Sequence, residues 1–333
     1  MSTSDYIWLE IQEQPGLMHE LNKSQESIRK SIEGLLDNKR INKIVMTGSG
    51  DSFCVSISAE QAFRDYTGLQ CSGIWPMDIT RYNRVKFDEK TLLIPISVSG
   101  RTPRVIEAVH KAKAACSTVL AVTDNSTSPL SSLADETVLI GASPHETLLT
   151  SSYTSDDASK YVGYHHDVAQ TKTYSQGLLA LTWIALSIGE ITGNMDRQMI
   201  SKKIGWLRKL PEMVTNVLKY EKEIQLIAEK IYKAPYFIFS GSGPNYGTAC
   251  YSAFKNYEFS IPALYNDLEE YCHTQYFITE RDDTPVIFIA EGESLERASE
   301  IVPIIDNTIK APSLTITSEK QLRFKCNSFK VPF

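Results

Sequence analysis

The sequence lacks several features that would assign it to a familiar class of protein. Its six cysteines are scattered without a CxxC pair, which fits neither a zinc site nor a disulfide framework. Lys and Arg number 34 against 40 Asp and Glu, so the chain lacks the basic character of a nucleic-acid-binding protein. The longest apolar run, 178–189, is too short to span a bilayer. We therefore expect no metal, no nucleic acid and no membrane among its partners.

The N-terminus and the glycine motifs add two further absences. Residues 1–16 are polar and acidic, without the basic start and apolar core of a signal peptide, so a cytoplasmic location is expected. No glycine-rich stretch has the GxGxxG spacing of a dinucleotide site or the GKS/GKT ending of a Walker loop. No cofactor is therefore expected.

What the sequence does contain is a regular alternation of buried strands and helices. The strands are apolar throughout, as in a parallel sheet covered by helices on both faces. Thr102 and Pro103 have the types preferred at the N-cap and at the first position of a helix. The predicted strands are 43–48, 92–98, 118–124 and 136–141, and the predicted helices are 17–40, 51–68 and 102–115.

The second half of the chain repeats this pattern. Residues 236–255 resemble the segment that begins at 43, with GSG at 241–243 against GSG at 48–50. Segments 284–301, 312–317 and 328–333 follow in the same order as their counterparts. We therefore predict an α/β fold of two tandem doubly wound parallel-sheet domains, flavodoxin-like with three layers. The predicted parts are a first domain over 17–195, a helical connection over 196–230 and a second domain over 231–333.

Hydroxyl side chains gather where two predicted strands end. After the strand 92–98 come Ser97, Ser99, Gly100 and Thr102, and after the strand 43–48 come Ser49, Gly50 and Ser52. Ser, Thr and Gly are common in plain turns. The same residues at a helix N-terminus also supply the N–H groups, hydroxyls and close approach that a phosphate needs.

The repeat helps to choose between a turn and a phosphate site. When the two copies are aligned on GSG without gaps, Ser97 faces Ala290, Ser99 faces Gly292 and Thr102 faces Leu295. The second copy keeps the strand but loses the hydroxyls, which a turn alone does not explain. This favours an anion site in the first domain.

Four motifs in order resemble the sugar isomerase (SIS) family, and above all its glucosamine-6-phosphate synthases and isomerising glucosamine-6-phosphate deaminases. They are GSGDS at 48–52, SVSGRT at 97–102, QTKTYSQ at 170–176 and KNYE at 255–258. The resemblance implies that Ser49, Ser52, Ser97, Ser99 and Thr102 bind the phosphate of a sugar, with Gly50 and Gly100 in the same turns. It also implies that the backbone of Val168 lies along the sugar.

The resemblance assigns the chemistry to the second domain. Glu258 matches the family's proton-transferring glutamate and Lys255 its lysine companion, although a Lys and a Glu at i and i+3 also form ordinary surface ion pairs. His273 matches the ring-opening histidine that enters from the neighbouring subunit, which implies a homodimer with shared active sites. The pair His165 and His166 is a weaker alternative for that role.

The chain also departs from the family pattern. Val98 stands where synthases usually have glutamine, and EEYCHTQ at 269–275 replaces a motif that ends in His-Gly-Pro. No glutaminase domain precedes residue 40 and no family-type tail follows the last strand, so glutamine is not expected to be the nitrogen donor. The resemblance implies interconversion of glucosamine 6-phosphate with fructose 6-phosphate and ammonia. Two alternatives stay open, a fructosamine-6-phosphate deglycase and a non-catalytic sugar-phosphate sensor.

Overall fold

The computed structural model describes residues 3–142, 170–280, 283–319 and 327–331. The chain divides into two compact units, residues 1–211 and 212–333. The division falls inside the stretch 196–230 that the sequence indicates as a helical connection.

The first unit contains a five-stranded parallel sheet. In chain order the strands are β1 Lys43–Gly48, β2 Gln70–Gly73, β3 Thr91–Ile96, β4 Thr118–Thr123 and β5 Glu136–Leu139. Their spatial order is β2-β1-β3-β4-β5, the flavodoxin-like order. Every residue of β3 and β4 is buried, as expected for strands covered on both faces.

The second unit repeats this topology. Its parallel strands are β6 Phe237–Gly241, β7 Ala263–Asn266, β8 Val286–Ile289, β9 Ser313–Thr317 and β10 Ser328–Lys330. The order β10-β9-β8-β6-β7 is the order of the first sheet read from its other edge. The prediction of two tandem doubly wound α/β domains is thereby confirmed.

Helices surround both sheets. The helices that begin in the first unit are Thr3–Lys23, Gln25–Leu36, Asp51–Thr67, Pro76–Thr80, Pro103–Ala114, Pro129–Leu133, Lys172–Ile191, Arg197–Leu207 and Leu210–Leu218. Those of the second unit are Glu221–Ile231, Pro244–Glu258, Leu268–His273 and Ser294–Ile304, with a 3-10 turn Gln275–Ile278 and a π turn Ile305–Ile309. Within the described ranges, no helix is long and apolar enough to cross a membrane.

The helix Lys172–Ile191 is the most deeply buried of the first unit and packs along Asp51–Thr67. Two glycines allow the close approach. A Cβ on Gly177 would lie 3.2 Å from Val55, and a Cβ on Gly189 would lie 2.4 Å from the carbonyl oxygen of Tyr66. These contacts place the start of Lys172–Ile191 beside the N-terminal part of Asp51–Thr67.

The N-terminal helix extends further than its sequence indicates. The helical pattern begins at residue 17, after the Pro-Gly pair that usually marks a turn, yet the helix runs from Thr3 through Pro15 to Lys23. Tertiary contacts outweigh the proline, because Glu10 on this helix is buried and its carboxylate accepts the backbone N–H of Thr171 at 3.1 Å.

Candidate functional site

The turn after β1 is shaped by two glycines. Gly48 lies so close to the following helix that a Cβ on it would be 2.6 Å from Cβ of Ser52. Gly50 has φ +57°, in the left-handed region where glycine is favoured. The turn leaves Ser49 exposed and Ser52 half-buried at the first turn of Asp51–Thr67, whose amide groups point out of the helix end.

The loop after β3 brings two predicted phosphate ligands together. The Oγ of Ser97 and the Oγ1 of Thr102 are 2.9 Å apart, and Ser97 is buried. Thr102 is the N-cap residue of Pro103–Ala114, as predicted, but its hydroxyl does not cap the helix because it bonds Ser97 instead. Ser99 is exposed, and its Oγ accepts the N–H of Arg101 at 3.3 Å.

A second layer of contacts, which was not predicted from the sequence, supports this loop on the side of the sheet. The carbonyl oxygen of Val98 accepts the hydroxyl of Thr123 and the N–H of Asp124, both at 3.0 Å. Gly100 has φ +64°, and a Cβ on it would lie 2.1 Å from Oγ of Ser128. The Ser-Pro sequence at 128–129, typical of a helix start, is the only signal that could have indicated this support.

The two turns leave the sheet side by side. In the register of β1 and β3, Gly48 is paired with Ile96, so Ser49 and Ser97 follow directly on neighbouring strands. In a sheet of this order, ligands bind at the carboxyl ends of these two strands, where the chain direction reverses. Hydroxyls, amide groups and two helix N-termini at this point form a setting suited to a phosphate.

The corresponding turns of the second unit use their polar groups internally. The Oγ of Ser242, the counterpart of Ser49, accepts the N–H of Leu268 at 3.2 Å. In the loop after β8, the carboxylate of Glu291 accepts the N–H of Ser318 at 2.8 Å and the hydroxyl of Thr317 at 3.0 Å. At this strand end, the hydrogen-bond donors are therefore bonded to a carboxylate of the protein itself.

The gap-free alignment of the two loops is wrong at its far end. It pairs Thr102 with Leu295, but the helix of the second unit begins at Ser294, so Leu295 lies inside it. The N-cap there is Glu293. The loop between strand and helix is two residues shorter in the second copy, which sequence spacing counted from GSG does not reveal.

Lys255 and Glu258 form the pair that their spacing predicts. The Nζ of Lys255 is 2.7 Å from both carboxylate oxygens of Glu258, and it lies over the ring of Tyr251 at 5.3 Å from the centroid. The side chain of Lys255 is 13% exposed and that of Glu258 is 40% exposed. Burial raises the pKa of a carboxylate and so makes it a stronger base, whereas the carboxylate of Glu258 is still substantially open.

His273 ends the short helix Leu268–His273 and has a partner on that helix. Its Nε2 is 3.0 Å from Oε1 of Glu269, and its side chain is 63% exposed. The predicted sugar contact Val168 and the alternative histidines His165 and His166 lie outside the described residues.

A buried ion cluster fixes the start of the helix Lys172–Ile191. The Nζ of Lys172 is 3.1 Å from Oε1 of Glu10 and 2.8 Å from Oε2 of Glu13, and Lys172 and Glu10 are almost fully buried. Burial lowers the pKa of Lys172, but the hydrogen bonds and charges of Glu13 and Glu10 outweigh it, so the pKa is raised. The lysine of the TK motif is therefore a structural ion-pair partner in this chain.

Comparisons with known proteins agree with this architecture. Residues 37–158 match the family model described as the SIS domain. Glutamine–fructose-6-phosphate aminotransferase [isomerizing] of Pyrococcus horikoshii is 27% identical over 309 residues, which cover 87% of this chain and 46% of that protein. The chain thus spans about half the length of the curated relatives it matches.

Solved structures share the fold over nearly the whole chain. The C-terminal domain of glucosamine-fructose-6-phosphate aminotransferase from Francisella tularensis superposes with a TM-score of 0.83 at 20% identity, covering 98% of this chain and 88% of that one. Tagatose-6-phosphate ketose/aldose isomerase from Escherichia coli superposes with a TM-score of 0.75 at 15% identity, covering 100% and 87%. The chain therefore contains a SIS domain and is homologous to the isomerase domain of glutamine–fructose-6-phosphate aminotransferases.

Proposed function

We propose that this chain is a phosphosugar isomerase that converts glucosamine 6-phosphate to fructose 6-phosphate and ammonia, or runs the reverse reaction. The observation that carries the proposal is the pair of hydroxyl-rich turns at the carboxyl ends of β1 and β3, with Ser97 and Thr102 at 2.9 Å. The relatives with this architecture act, by their names, on fructose 6-phosphate or tagatose 6-phosphate.

In the proposed reaction the phosphate group anchors the substrate at the first unit. Ser49, Ser52, Ser97, Ser99 and Thr102 offer hydroxyl or amide hydrogens to its oxygens. Anchoring the far end of the sugar lowers the entropic cost of bringing its reactive carbons to a base.

Proton transfer is assigned to Glu258. Its carboxylate takes the proton from C2 of the opened aminosugar and returns it to C1, while one proton of the amine passes to the C1 oxygen. The aldehyde and amine thereby become an alcohol at C1 and an imine at C2. Water then adds to that imine carbon and ammonia leaves, giving fructose 6-phosphate. Lys255 holds the carboxylate in place through its two 2.7 Å contacts. His273, supplied by the partner subunit of a homodimer, assists ring opening.

The test measures ammonia and fructose 6-phosphate released from glucosamine 6-phosphate by the wild type and by Glu258→Gln. Loss of general base catalysis is expected to reduce turnover by about 10²–10⁴-fold. Binding of fructose 6-phosphate, followed by calorimetry, is expected to remain. The control is Glu296→Gln, which removes an exposed glutamate from another helix of the same unit. Equal turnover in wild type and Glu258→Gln would refute the assignment.

The phosphate turn is tested separately by Ser97→Ala and by the double variant Ser97→Ala/Thr102→Val. Each lost hydrogen bond to a charged group is expected to weaken fructose 6-phosphate binding by about tenfold or more. Undiminished binding in the double variant would remove this loop from the site. Light scattering tests the homodimer, because a monomer cannot receive a histidine from a partner.

A second candidate reaction is favoured by the surroundings of Glu258. Tyr257 and Phe259 flank it in the chain and are both exposed, at 47% and 45%. Aromatic surface beside the base suits a leaving amine larger than ammonia, as in a fructosamine-6-phosphate deglycase. That enzyme moves the proton from C1 to C2 and releases glucose 6-phosphate and the amine. Assaying glucose 6-phosphate release from such a substrate distinguishes the two reactions.

A further inference from the structure

A cleft lies at the amino ends of the strands in the first unit. The candidate phosphate turns lie at the opposite, carboxyl ends of the same strands. The cleft has a volume of about 420 Å³, within the range of small-molecule pockets. It is lined by residues just before β1 and β3, by the start of β4 and by the end of Pro103–Ala114. A ligand here would occupy the opposite edge of the sheet from Ser97 and Thr102.

Basic residues dominate this lining although the chain as a whole has a net charge of −6. The cleft contains the cations Lys39, Arg40, Lys90 and Lys113 and the carboxylates of Glu89 and Asp135. A smaller cavity of about 350 Å³ shares Lys39 and Asp135 with the cleft and adds one cation, Lys30, and one carboxylate, that of Glu136.

The carboxylate of Asp135 is engaged chiefly by Lys113 and the backbone of Val119, and it also interacts with the charge of Lys39, so it offsets only part of the charge of the cleft. One oxygen is 2.6 Å from Nζ of Lys113 and the other accepts the N–H of Val119 at 2.8 Å. Within the described part of the chain, Lys39, Arg40 and Lys90 have no carboxylate within 4 Å. The four cations of the lining therefore outnumber its two carboxylates.

Helix electrostatics explain only part of this set. Lys113 lies in the last turn of Pro103–Ala114, and Lys39 follows the end of Gln25–Leu36, two places where a cation is stabilised by the helix dipole. Arg40 and Lys90 lie outside helices, in the segments that lead into β1 and β3. No helix dipole therefore explains why Arg40 and Lys90 both lie at this cleft.

We propose that this cleft is a second binding site of the first unit, for a compact, multiply charged anion of the diphosphate class. The guanidinium of Arg40 and the ammonium groups of Lys39 and Lys90 would pair with its oxygens, since charge-assisted contacts are the strongest that exposed side chains offer an anion. Ser117 and Thr118 line the same cleft, and the hydroxyl of Ser117 already donates to the carbonyl oxygen of Asp88 at 2.7 Å.

Cys116 supplies a probe of the site. It lines the cleft and is exposed, whereas Cys54, Cys71 and Cys250 are buried and Cys272 is intermediate. The experiment follows alkylation of Cys116 in the full chain by peptide mass spectrometry, with and without inorganic diphosphate. Diphosphate is expected to slow alkylation of Cys116 in the wild type in a saturable manner.

The matched variants are Arg40→Gln/Lys90→Gln in the cleft and Lys202→Gln/Lys222→Gln on exposed positions elsewhere, which remove the same charge. The first pair is expected to weaken protection by at least about tenfold, and the second to leave it unchanged. Ser97→Ala is expected to keep the protection, because the two sites are separate. The proposal is overturned if diphosphate gives no protection, if both double variants behave alike, or if Ser97→Ala abolishes the effect.

Discussion

Replacing Gly100 by alanine tests whether the loop after β3 is braced as the structure describes. Gly100 has φ +64°, and its backbone N–H and carbonyl both take part in the loop, with Ser97 and Leu130 as partners at 3.0 and 3.1 Å. An alanine Cβ would meet Oγ of Ser128 at 2.1 Å and its Cβ at 2.4 Å. Both distances are shorter than any tolerable contact, and neither atom is the end of a long flexible side chain.

The expected cost has two parts. The left-handed conformation costs a residue with a Cβ about 1–2 kcal/mol. Forcing an extra carbon into a packed site costs typically about 1–3 kcal/mol. We therefore expect Gly100→Ala to lower the free energy of unfolding of the first unit by about 2–5 kcal/mol.

A control in the same unit separates the two parts. Gly141 has φ +63°, and a Cβ there would meet no atom of the described residues within 4 Å. Gly141→Ala is thus expected to cost only the conformational part, about 1–2 kcal/mol. The variant Gly100→Ala/Ser128→Gly removes the clashing side chain and is expected to recover most of the difference, since glycine is an acceptable N-cap.

Denaturation followed by tryptophan fluorescence provides the assay. The four tryptophans, Trp8, Trp75, Trp183 and Trp206, all lie within residues 1–211, so the signal reports the first unit. If Gly100→Ala is no less stable than Gly141→Ala, the close packing of Gly100 against Ser128 is refuted. Binding of fructose 6-phosphate by Gly100→Ala, measured where it is still folded, is expected to weaken because the loop must shift.

Three further predictions follow from buried or paired groups. Lys172→Met leaves the buried carboxylate of Glu10 without its cation and is expected to destabilise the first unit by about 3–5 kcal/mol in the same fluorescence assay. Although burial raises the pKa of Asp135, bonds from Lys113 and the N–H of Val119 outweigh it and hold that pKa below its ordinary 3.8. The stability it contributes is therefore present above about pH 3.8 and lost as pH falls further, so Asp135→Asn and wild type should converge in acid. Burial raises the pKa of Cys71 to about 12, so at pH 8 iodoacetamide is expected to modify exposed Cys116 and spare Cys71.

The buried parts of the fold were predictable because their signal is strong. β3 and β4 are apolar along their whole length, and both were predicted within two residues of their observed ends. β2 and β7 were missed. Each has four residues and lies at or next to a sheet edge, and polar residues such as Gln70 and Asn266 break the apolar pattern that identifies a strand.

The candidate site was predictable to a different degree in its two layers. The residue types at Ser97 and Thr102 predicted that both hydroxyls lie in one turn at the end of β3, and they are 2.9 Å apart there; anion binding by this turn stays a prediction. The supporting contacts of Thr123 and Ser128 were not predictable, since these residues lie more than twenty positions further along the chain and only the sheet order brings them behind the loop. Sequence spacing indicates which residues share a turn, whereas the packing between turns depends on the fold.

The comparison of the two units gives the site hypothesis its strongest physical basis. Both copies end their first strand in Gly-Ser-Gly, and both glycines that follow the serine have the same backbone conformation, with φ +57° at Gly50 and +58° at Gly243. In the second copy the hydroxyl of Ser242 is used by the N–H of Leu268, while the hydroxyl of Ser49 bonds no other described residue. In a turn of the same backbone conformation, the serine hydroxyl can therefore bond to another residue of the protein. The conformation of the turn alone does not require that the hydroxyl of Ser49 stays open. If Ser49→Ala leaves the stability of the first unit unchanged but weakens fructose 6-phosphate binding, the open hydroxyl serves a ligand. Loss of stability with unchanged binding would show that it serves the fold.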